Sequence, residues 1–152
     1  MTNKLKEGDK VPEFKGLDQN GNPISYQDFK GQKLVVFFYP KASTPGCTAE
    51  ACNLNDNLDT LAAKGYTVVG ASADSVKRQK NFSEKYGFKF PLISDENKEM
   101  INAFGVWGPK KFMGKEYDGI HRTTFLIDEN GIIERVIQKV KTKDHTNQIL
   151  EN

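Results

Sequence analysis

One stretch of the sequence decides the fold: Lys33-Leu-Val-Val-Phe-Phe-Tyr39, which is apolar after its first residue and rich in β-branched and aromatic side chains. Such a run is typical of a strand that is buried on both faces of a parallel sheet. Pro40 ends the run, and a helical pattern over about Pro45–Ala63 leads to a second buried run, Thr67–Ala73. Because strand–helix–strand crossovers are right-handed and join neighbouring strands, the two runs are predicted to form a parallel pair.

The remaining segments alternate short strands with helices, and Gly, Pro and Asn separate them. The segments predicted besides these runs are a hairpin of Phe14–Leu17 and Ile24–Tyr26, a helix at Ser75–Tyr86, a strand at Pro91–Ser94, a helix at Asn97–Phe104, a surface loop at Gly105–Gly119, a second hairpin of Thr123–Ile127 and Ile132–Ile137, and a short last helix. This order predicts one α/β domain over residues 1–152, with a thioredoxin-like fold: a mixed central sheet flanked by helices, and an N-terminal β-hairpin extension.

The charge and composition of the chain limit which partners and which cellular location are expected. The chain has 22 Lys and Arg against 20 Asp and Glu, a net charge of +2, which argues against nucleic acid or an anionic membrane as the main partner. Its first ten residues are mostly polar and charged and lack the apolar stretch of a secretory signal, and no apolar run is long enough to span a bilayer, so a cytoplasmic location is expected. In a reducing compartment the two cysteines are not expected to form a permanent structural disulfide, and their reactivity becomes the question.

Cys47 follows the first buried strand and falls in the first turn of the predicted helix. Thr44 is a plausible N-cap, and Pro45 then takes the first helical position. Free backbone N–H groups and the positive end of the helix dipole favour a thiolate there, and the thiolate is the nucleophilic form. The alternative is that Cys47 is a small buried hydrophobic residue, as many free cysteines are.

Cys52 lies five residues further along the same predicted helix. Five helical residues separate two Cα atoms by roughly 8.6 Å, whereas a disulfide needs about 7 Å or less. The two thiols therefore either never bond or bond only when the helix unwinds. The spacing is not that of a CxxC dithiol, and zinc is a poor expectation because His121 and His145 show no ligand spacing.

An arginine is the side chain best suited to hold a thiolate and a developing negative charge, because it does not lose its proton. Arg78 lies in a polar helix, and Arg135 is predicted to face water. Arg122 opens the strand Thr123–Ile127 and, if that strand runs antiparallel to the first buried strand, lies at the same sheet edge as Cys47. Arg122 is the predicted partner, with a surface arginine at a strand start as the alternative.

The segment Tyr39-Pro-Lys-Ala-Ser-Thr-Pro-Gly-Cys-Thr-Ala-Glu-Ala-Cys52 carries the pattern Pro-x-x-x-Thr/Ser-x-x-Cys at Pro40, Thr44 and Cys47. With Cys52 five positions on, it resembles the peroxidatic segment of the peroxiredoxins, in particular the bacterioferritin comigratory protein (PrxQ) subfamily. The resemblance runs through nearly the whole chain, and other matching stretches are Phe104–Gly108, Phe112–Lys115 and Gly119–Asp128.

This resemblance implies a thioredoxin-like fold and a thiol peroxidase that reduces hydrogen peroxide or organic hydroperoxides without a cofactor or metal, in antioxidant defence. It implies that Cys47 attacks the peroxide and becomes a sulfenic acid, that Thr44 and Arg122 hold the peroxide, and that Cys52 then forms a disulfide with Cys47. Thioredoxin or a similar dithiol protein would reduce that disulfide. Members of this subfamily are often monomers, so a monomer is expected.

One position of the predicted helix departs from the family pattern, and one acidic residue in that helix is not assigned to the site. Many relatives have Arg before the Asp that follows Leu or Phe in the resolving helix, whereas this chain has Asn55 before Asp56, which affects the stability of the helix. Glu50 either helps to hold the loop or is an ordinary acid of the first helical turns, and it is left out of the predicted site. A non-enzymatic redox sensor or chaperone that uses the same thiols is the alternative function, because its first oxidation step is identical.

Overall fold

A computed structural model describes residues 5–151 of the protein. Its strands are β1 Lys15–Leu17, β2 Pro23–Ser25, β3 Lys33–Phe38, β4 Tyr66–Ser72, β5 Leu92–Ser94, β6 Trp107–Phe112, β7 Lys115–Ile120, β8 Thr123–Ile127 and β9 Ile133–Ile137. Its α-helices are α1 Pro45–Asp56, α2 Leu58–Ala63, α3 Val76–Tyr86, α4 Glu99–Ala103 and α5 His145–Leu150, and a single 3-10 turn spans Tyr26–Phe29. No helix within this part of the chain is long and apolar enough to cross a membrane.

Seven strands form one mixed sheet in the order β2-β1-β5-β4-β3-β8-β9. The two buried runs, β3 and β4, are parallel as predicted, and β5 continues the parallel set. β8 pairs antiparallel with β3, with Thr123 opposite Phe38, and β9 completes the second predicted hairpin. Together with the N-terminal hairpin of β1 and β2, this topology confirms the predicted thioredoxin-like fold class.

The central strand β3 supplies side chains to both faces of the sheet, as its continuous apolar sequence predicts. Alternate residues enter two separate apolar clusters, which are Leu34, Val36 and Phe38 on one face and Val35, Phe37 and Tyr39 on the other. The second cluster also contains Cys47, Ala51 and Leu54. The helix that carries the cysteines is therefore packed directly on β3.

The prediction of a surface loop at Gly105–Gly119 is wrong. β6 and β7 form an antiparallel hairpin in which Phe112 lies opposite Lys115. The turn between them consists of Met113 and Gly114, with φ of 51° and 81°, and two left-handed residues make the tight turn that matches the twist of a hairpin. Most residues of this hairpin are exposed. Its strands therefore lack the apolar pattern by which buried strands are recognised in a sequence.

Two smaller expectations are also corrected. The helical pattern over Pro45–Ala63 is two helices rather than one, because Asn57 departs from helical backbone at φ −111°, ψ 19°.

Arg135 does not simply face water. Its guanidinium donates hydrogen bonds to the carbonyl oxygens of Gln148, Ile149 and Glu151, and so satisfies the free carbonyls at the end of α5.

Candidate active site

Cys47 lies in the first turn of α1, at the end of β3, and only 1 % of it is exposed. Thr44 is the N-cap residue and Pro45 opens the helix, as predicted. The Thr44 hydroxyl makes no capping bond to the helix and instead donates to the carbonyl oxygen of Lys41 at 2.7 Å. The sulfur therefore lies among the first N–H groups of a helix, where a negative charge is favoured.

The loop that precedes Cys47 is fixed by β4. Asp74, just after that strand, accepts the N–H of Ala42 at 2.7 Å and the hydroxyl of Ser72 at 2.6 Å. Ser43 takes a left-handed conformation with φ of 66°, which is strained for a residue other than glycine. The loop is thus held in a conformation that presents the start of α1 to the sheet edge.

Arg122 directly precedes β8, the strand that pairs antiparallel with β3 as predicted, and its side chain reaches Cys47 from there. Its Nη2 donates to the Cys47 sulfur at 3.3 Å, and its Nη1 donates to Glu50 Oε1 at 2.7 Å. The guanidinium also passes close to Gly46, where an added Cβ would lie 3.1 Å from Nη2. Arg122 thus joins a thiol and a carboxylate of the same helix.

Glu50 is a site residue that the sequence reading left out. It is fully buried, on the same face of α1 as Cys47, Ala51 and Leu54. Burial raises the pKa of Glu50 to about 7, although Arg122 opposes the shift. The signal was present in the sequence, because positions 47, 50, 51 and 54 follow the spacing of a buried helical stripe; an acid within it needs a partner.

His145, at the start of α5, is the second residue that was missed. It is fully buried, and its Nε2 lies 2.7 Å from the Thr124 hydroxyl and 3.5 Å from Glu50 Oε2. Burial lowers the pKa of His145, and the positive charges of Arg122 and Arg135 add to this shift. Nothing in the local sequence around His145 signals this contact, because it joins elements far apart in the chain.

Cys52 is half-buried on α1, and both cysteines are free thiols in an unbroken helix. Burial, together with the charge of Asp56 one turn later, raises the pKa of Cys52. The next residue, Asn53, ties this part of α1 to the start of α5: its side chain accepts the N–H of Thr146 at 2.8 Å and donates to the carbonyl of Lys143 at 3.1 Å. Cys52 therefore lies in a helical segment that is held in place by hydrogen bonds to the start of α5.

A cleft of about 300 Å³ opens beside Arg122. Lys110 and His121 contribute its polar wall, and its apolar wall comes from Leu5, Phe104, Val106, Phe125 and Val136. Of the four residues predicted for the site, Cys47 and Arg122 are in direct contact. Thr44 and Cys52 lie on the same helix, one at its cap and one further along it.

Residues 7–136 match the family model described as AhpC/TSA family. The chain belongs to this family. It is 49% identical over 148 residues to peroxiredoxin Bcp of Escherichia coli, covering 97% of this chain and 95% of that one. The family confirms the resemblance drawn from the motif, and the chain is accordingly a peroxidase that works through a peroxidatic cysteine.

Solved structures of peroxiredoxins share this architecture. A PrxQ mutant of Xylella fastidiosa superimposes with a TM-score of 0.90 at 32% identity, covering 97% of this chain and 94% of that one. The bacterioferritin comigratory protein of Xanthomonas campestris, whose structures are described as giving insights into its alkyl peroxide reduction activity, gives a TM-score of 0.85 at 37% identity, covering 93% of this chain and 95% of that one.

Proposed function

We propose that this chain reduces hydrogen peroxide and organic hydroperoxides with Cys47 as the attacking nucleophile. The observation that carries the proposal is the 3.3 Å contact between Arg122 Nη2 and the Cys47 sulfur in the first turn of α1. A fixed positive charge and the free N–H groups of a helix start both favour the thiolate. The same groups are placed to stabilise the charge that develops on a leaving oxygen.

In the first step the Cys47 thiolate attacks the terminal oxygen of the hydroperoxide. An S–O bond forms and the O–O bond breaks, which leaves a sulfenic acid and an alkoxide or hydroxide that takes up a proton to become alcohol or water. Arg122 and the first N–H groups of α1 hold the peroxide. Thr44 helps by turning its hydroxyl from the Lys41 carbonyl, which it contacts in the resting protein, to a peroxide oxygen.

In the second step Cys52 attacks the sulfenic sulfur, a disulfide forms and water leaves. Both thiols lie on one continuous helix, and five helical residues separate their Cα atoms by roughly 8.6 Å, beyond the reach of a disulfide at about 7 Å. The first turns of α1 therefore unwind before Cys52 can react. Further oxidation of the sulfenic acid to sulfinic acid competes with this unwinding.

The reductant that returns the disulfide to two thiols is thioredoxin or a similar dithiol protein. Bulky hydroperoxides are included among the substrates because the cleft beside Arg122 has an apolar wall, and because the Xanthomonas campestris relative is described by its alkyl peroxide reduction. We further propose that the chain acts as one domain over residues 1–152, as a cytoplasmic monomer in antioxidant defence, without nucleic acid or membrane as partner.

Mass spectrometry after one equivalent of peroxide tests the roles of the two cysteines. The unsubstituted protein should lose two hydrogens as an intramolecular disulfide, Cys52→Ser should trap a sulfenic acid on Cys47, and Cys47→Ser should remain unmodified. If Cys47→Ser consumed peroxide as fast as the unsubstituted protein, the assignment of the nucleophile would be wrong.

Steady-state consumption of peroxide in the presence of thioredoxin and its reductase separates an enzyme from a thiol redox sensor. Repeated turnover is expected from the unsubstituted protein. If the protein is oxidised once and does not turn over, either with thioredoxin or with other dithiol proteins as reductant, the result would favour the redox sensor.

A further inference from the structure

A chain of buried polar groups extends from Cys47 into the core and ends on the last helix. Arg122 joins the Cys47 sulfur to Glu50 Oε1, and Glu50 Oε2 faces His145 Nε2 at 3.5 Å. His145 is in turn held by Thr124 and Gln148. The proposed peroxidase mechanism uses Cys47 and Arg122 and leaves the two groups behind them, Glu50 and His145, without a role.

The hydrogen bonds of Gln148 determine which nitrogen of His145 carries the proton. Gln148 Oε1 accepts the N–H of Lys141 at 2.7 Å, and its amide nitrogen donates to the carbonyl of Lys139 at 2.9 Å. Its oxygen therefore faces His145 Nδ1 at 2.8 Å, and Nδ1 must be the donor. The neutral imidazole then presents an unprotonated Nε2 to the Thr124 hydroxyl, which donates to it, and to Glu50.

Glu50 Oε2 has no hydrogen-bond partner among residues 5–151, although it is buried. With Glu50 ionised and His145 neutral, Oε2 receives no hydrogen bond across the 3.5 Å gap, because the single Nε2 lone pair accepts the Thr124 hydroxyl. An unpaired carboxylate oxygen is costly away from water. One proton placed between Oε2 and Nε2, with the Thr124 hydroxyl turned away from Nε2, removes that cost. We propose that His145 is a positioning residue for Cys47 chemistry, which shares one proton with Glu50 and through Glu50 sets the hold on Arg122.

The charges around the pair determine when the shared proton is bound. Arg122, before β8, and Arg135, on β9, face the pair and disfavour a positive charge on His145. Cys47 on α1 interacts with Arg122, and Lys110 on β6 lies near both Arg122 and Cys47. The burial of Glu50, whose pKa it raises to about 7, favours uptake of the proton near neutral pH.

Uptake of the shared proton weakens the hydrogen bond by which Glu50 holds Arg122 on the Cys47 sulfur. An ionised Glu50 accepts from Arg122 Nη1 with its full charge and keeps Nη2 on the sulfur, and a charged acceptor makes a hydrogen bond about twice as strong as a neutral one. When the pair takes up its proton, that hold weakens and the guanidinium is less well aligned. This inference rests on the proposed function of Cys47, and it predicts that Cys47 oxidation slows below neutral pH more steeply than the ionisation of one thiol produces.

Two substitutions of His145 separate positioning from support of α5. The Gln of His145→Gln reaches the place of Nε2 and donates to Glu50 Oε2, which keeps the carboxylate ionised; the rate of Cys47 oxidation at pH 7 should be retained, and the extra fall should move to lower pH. His145→Asn replaces only the Nδ1 contact with Gln148 and leaves Oε2 unpaired. A buried carboxylate without a donor favours its neutral form, so the rate of His145→Asn at pH 7 should be roughly tenfold lower than that of His145→Gln, the difference expected between a hydrogen bond to a charged and to a neutral acceptor.

The rate is measured by rapid quench with a thiol-alkylating reagent and mass spectrometry, from pH 5.5 to 8.5, after one equivalent of hydrogen peroxide. Glu50→Gln should abolish the extra steepness. His121→Gln should keep it, which identifies the histidine that matters, since the chain has two. A purely structural role predicts the reverse order, with His145→Asn rescuing the rate and His145→Gln not, and this result would overturn the proposal.

Nitrogen NMR of the histidine rings tests the same pair without activity and without a variant of His145. The Nε2 resonance of His145 should shift with pH near neutrality, and Glu50→Gln should change that titration. A resonance that responds to neither pH nor Glu50→Gln would overturn the proposal even if every His145 variant failed to fold. If the unsubstituted protein did not oxidise at Cys47 at all, the proposed function would fail, while the NMR result would still report on the pair.

Discussion

At the scale of single residues, Gly46 sets how closely Arg122 approaches the sulfur. An added Cβ at Gly46 would lie 3.1 Å from Arg122 Nη2, so Gly46→Ala should displace the guanidinium by a few tenths of an ångström. Alanine is also the better helix former, by up to about 1 kcal/mol. We therefore expect Gly46→Ala to raise the free energy of unfolding while slowing Cys47 oxidation by roughly tenfold, since alignment of an active-site donor is worth that much or more.

Thermal unfolding and rapid-quench oxidation of the same samples measure these two opposite effects. Ala49→Gly is the matched control, since it makes the reverse exchange in the same helix. It should lower stability and leave the oxidation rate closer to that of the unsubstituted protein than Gly46→Ala does. Unchanged oxidation in Gly46→Ala would mean that the close approach of Arg122 is not needed.

The residues of the candidate site differ in how far sequence predicts them. The position of Cys47 follows from local features, because a strand end, an N-cap and a proline lie within a few residues of it. Arg122 follows from topology once β8 is taken as antiparallel to β3. Glu50 could be predicted from the helical stripe but was left out of the site. His145 could not be predicted, because its partners lie on α1 and β8 and only tertiary packing brings them together.

At the scale of elements, the contact between α1 and α5 opposes the unwinding that Cys52 needs. Asn53 makes two side-chain hydrogen bonds to the segment that begins α5, and each is worth about 0.5–1.5 kcal/mol. If unwinding breaks both, Asn53→Ala should speed formation of the Cys47–Cys52 disulfide by about fivefold to 150-fold. The sulfenic acid should also overoxidise less at high peroxide.

Rapid-quench mass spectrometry that follows the disulfide with time measures this rate. Asn55→Ala is the matched control: it gains the same helix propensity, but its side chain binds Gly87 and Lys89 rather than α5. The prediction fails if Asn53→Ala and Asn55→Ala form the disulfide equally fast.

The elements themselves were predictable to different degrees for a physical reason. β3 and β4 were read correctly because burial on both faces requires an apolar run, and such a run stands out in a sequence. The hairpin of β6 and β7 was missed because most of its side chains face water and it needs only cross-strand hydrogen bonds and a left-handed turn. Its turn signal, Met113-Gly114, contains one residue that rarely adopts positive φ.

At the scale of the whole molecule, Glu50 and His145 make opposite contributions to the dependence of stability on pH. His145 has a lowered pKa in the fold, so the unfolded chain binds its proton first, and stability falls as pH drops below about 6.5. Glu50 has its pKa raised from 4.5 to about 7, so the fold binds that proton first. Stability then rises as pH drops from about 7 to 4.5, and the two contributions offset each other between pH 7 and 5.

Removing one member of the pair should expose the contribution of the other. In Glu50→Gln only His145 remains, and on going from pH 7 to 5 the free energy of unfolding should fall by about 2 kcal/mol relative to the unsubstituted protein, the linkage value for a carboxyl whose pKa of about 7 in the fold lies above its ordinary 4.5. Urea unfolding at several pH values measures this difference, in which the other carboxylates cancel. The double variant Glu50→Gln with His145→Gln should regain the pH dependence of the unsubstituted protein, because neither group then titrates. Parallel pH profiles for Glu50→Gln and the unsubstituted protein would show instead that Glu50 takes up no proton in the fold between pH 7 and 5.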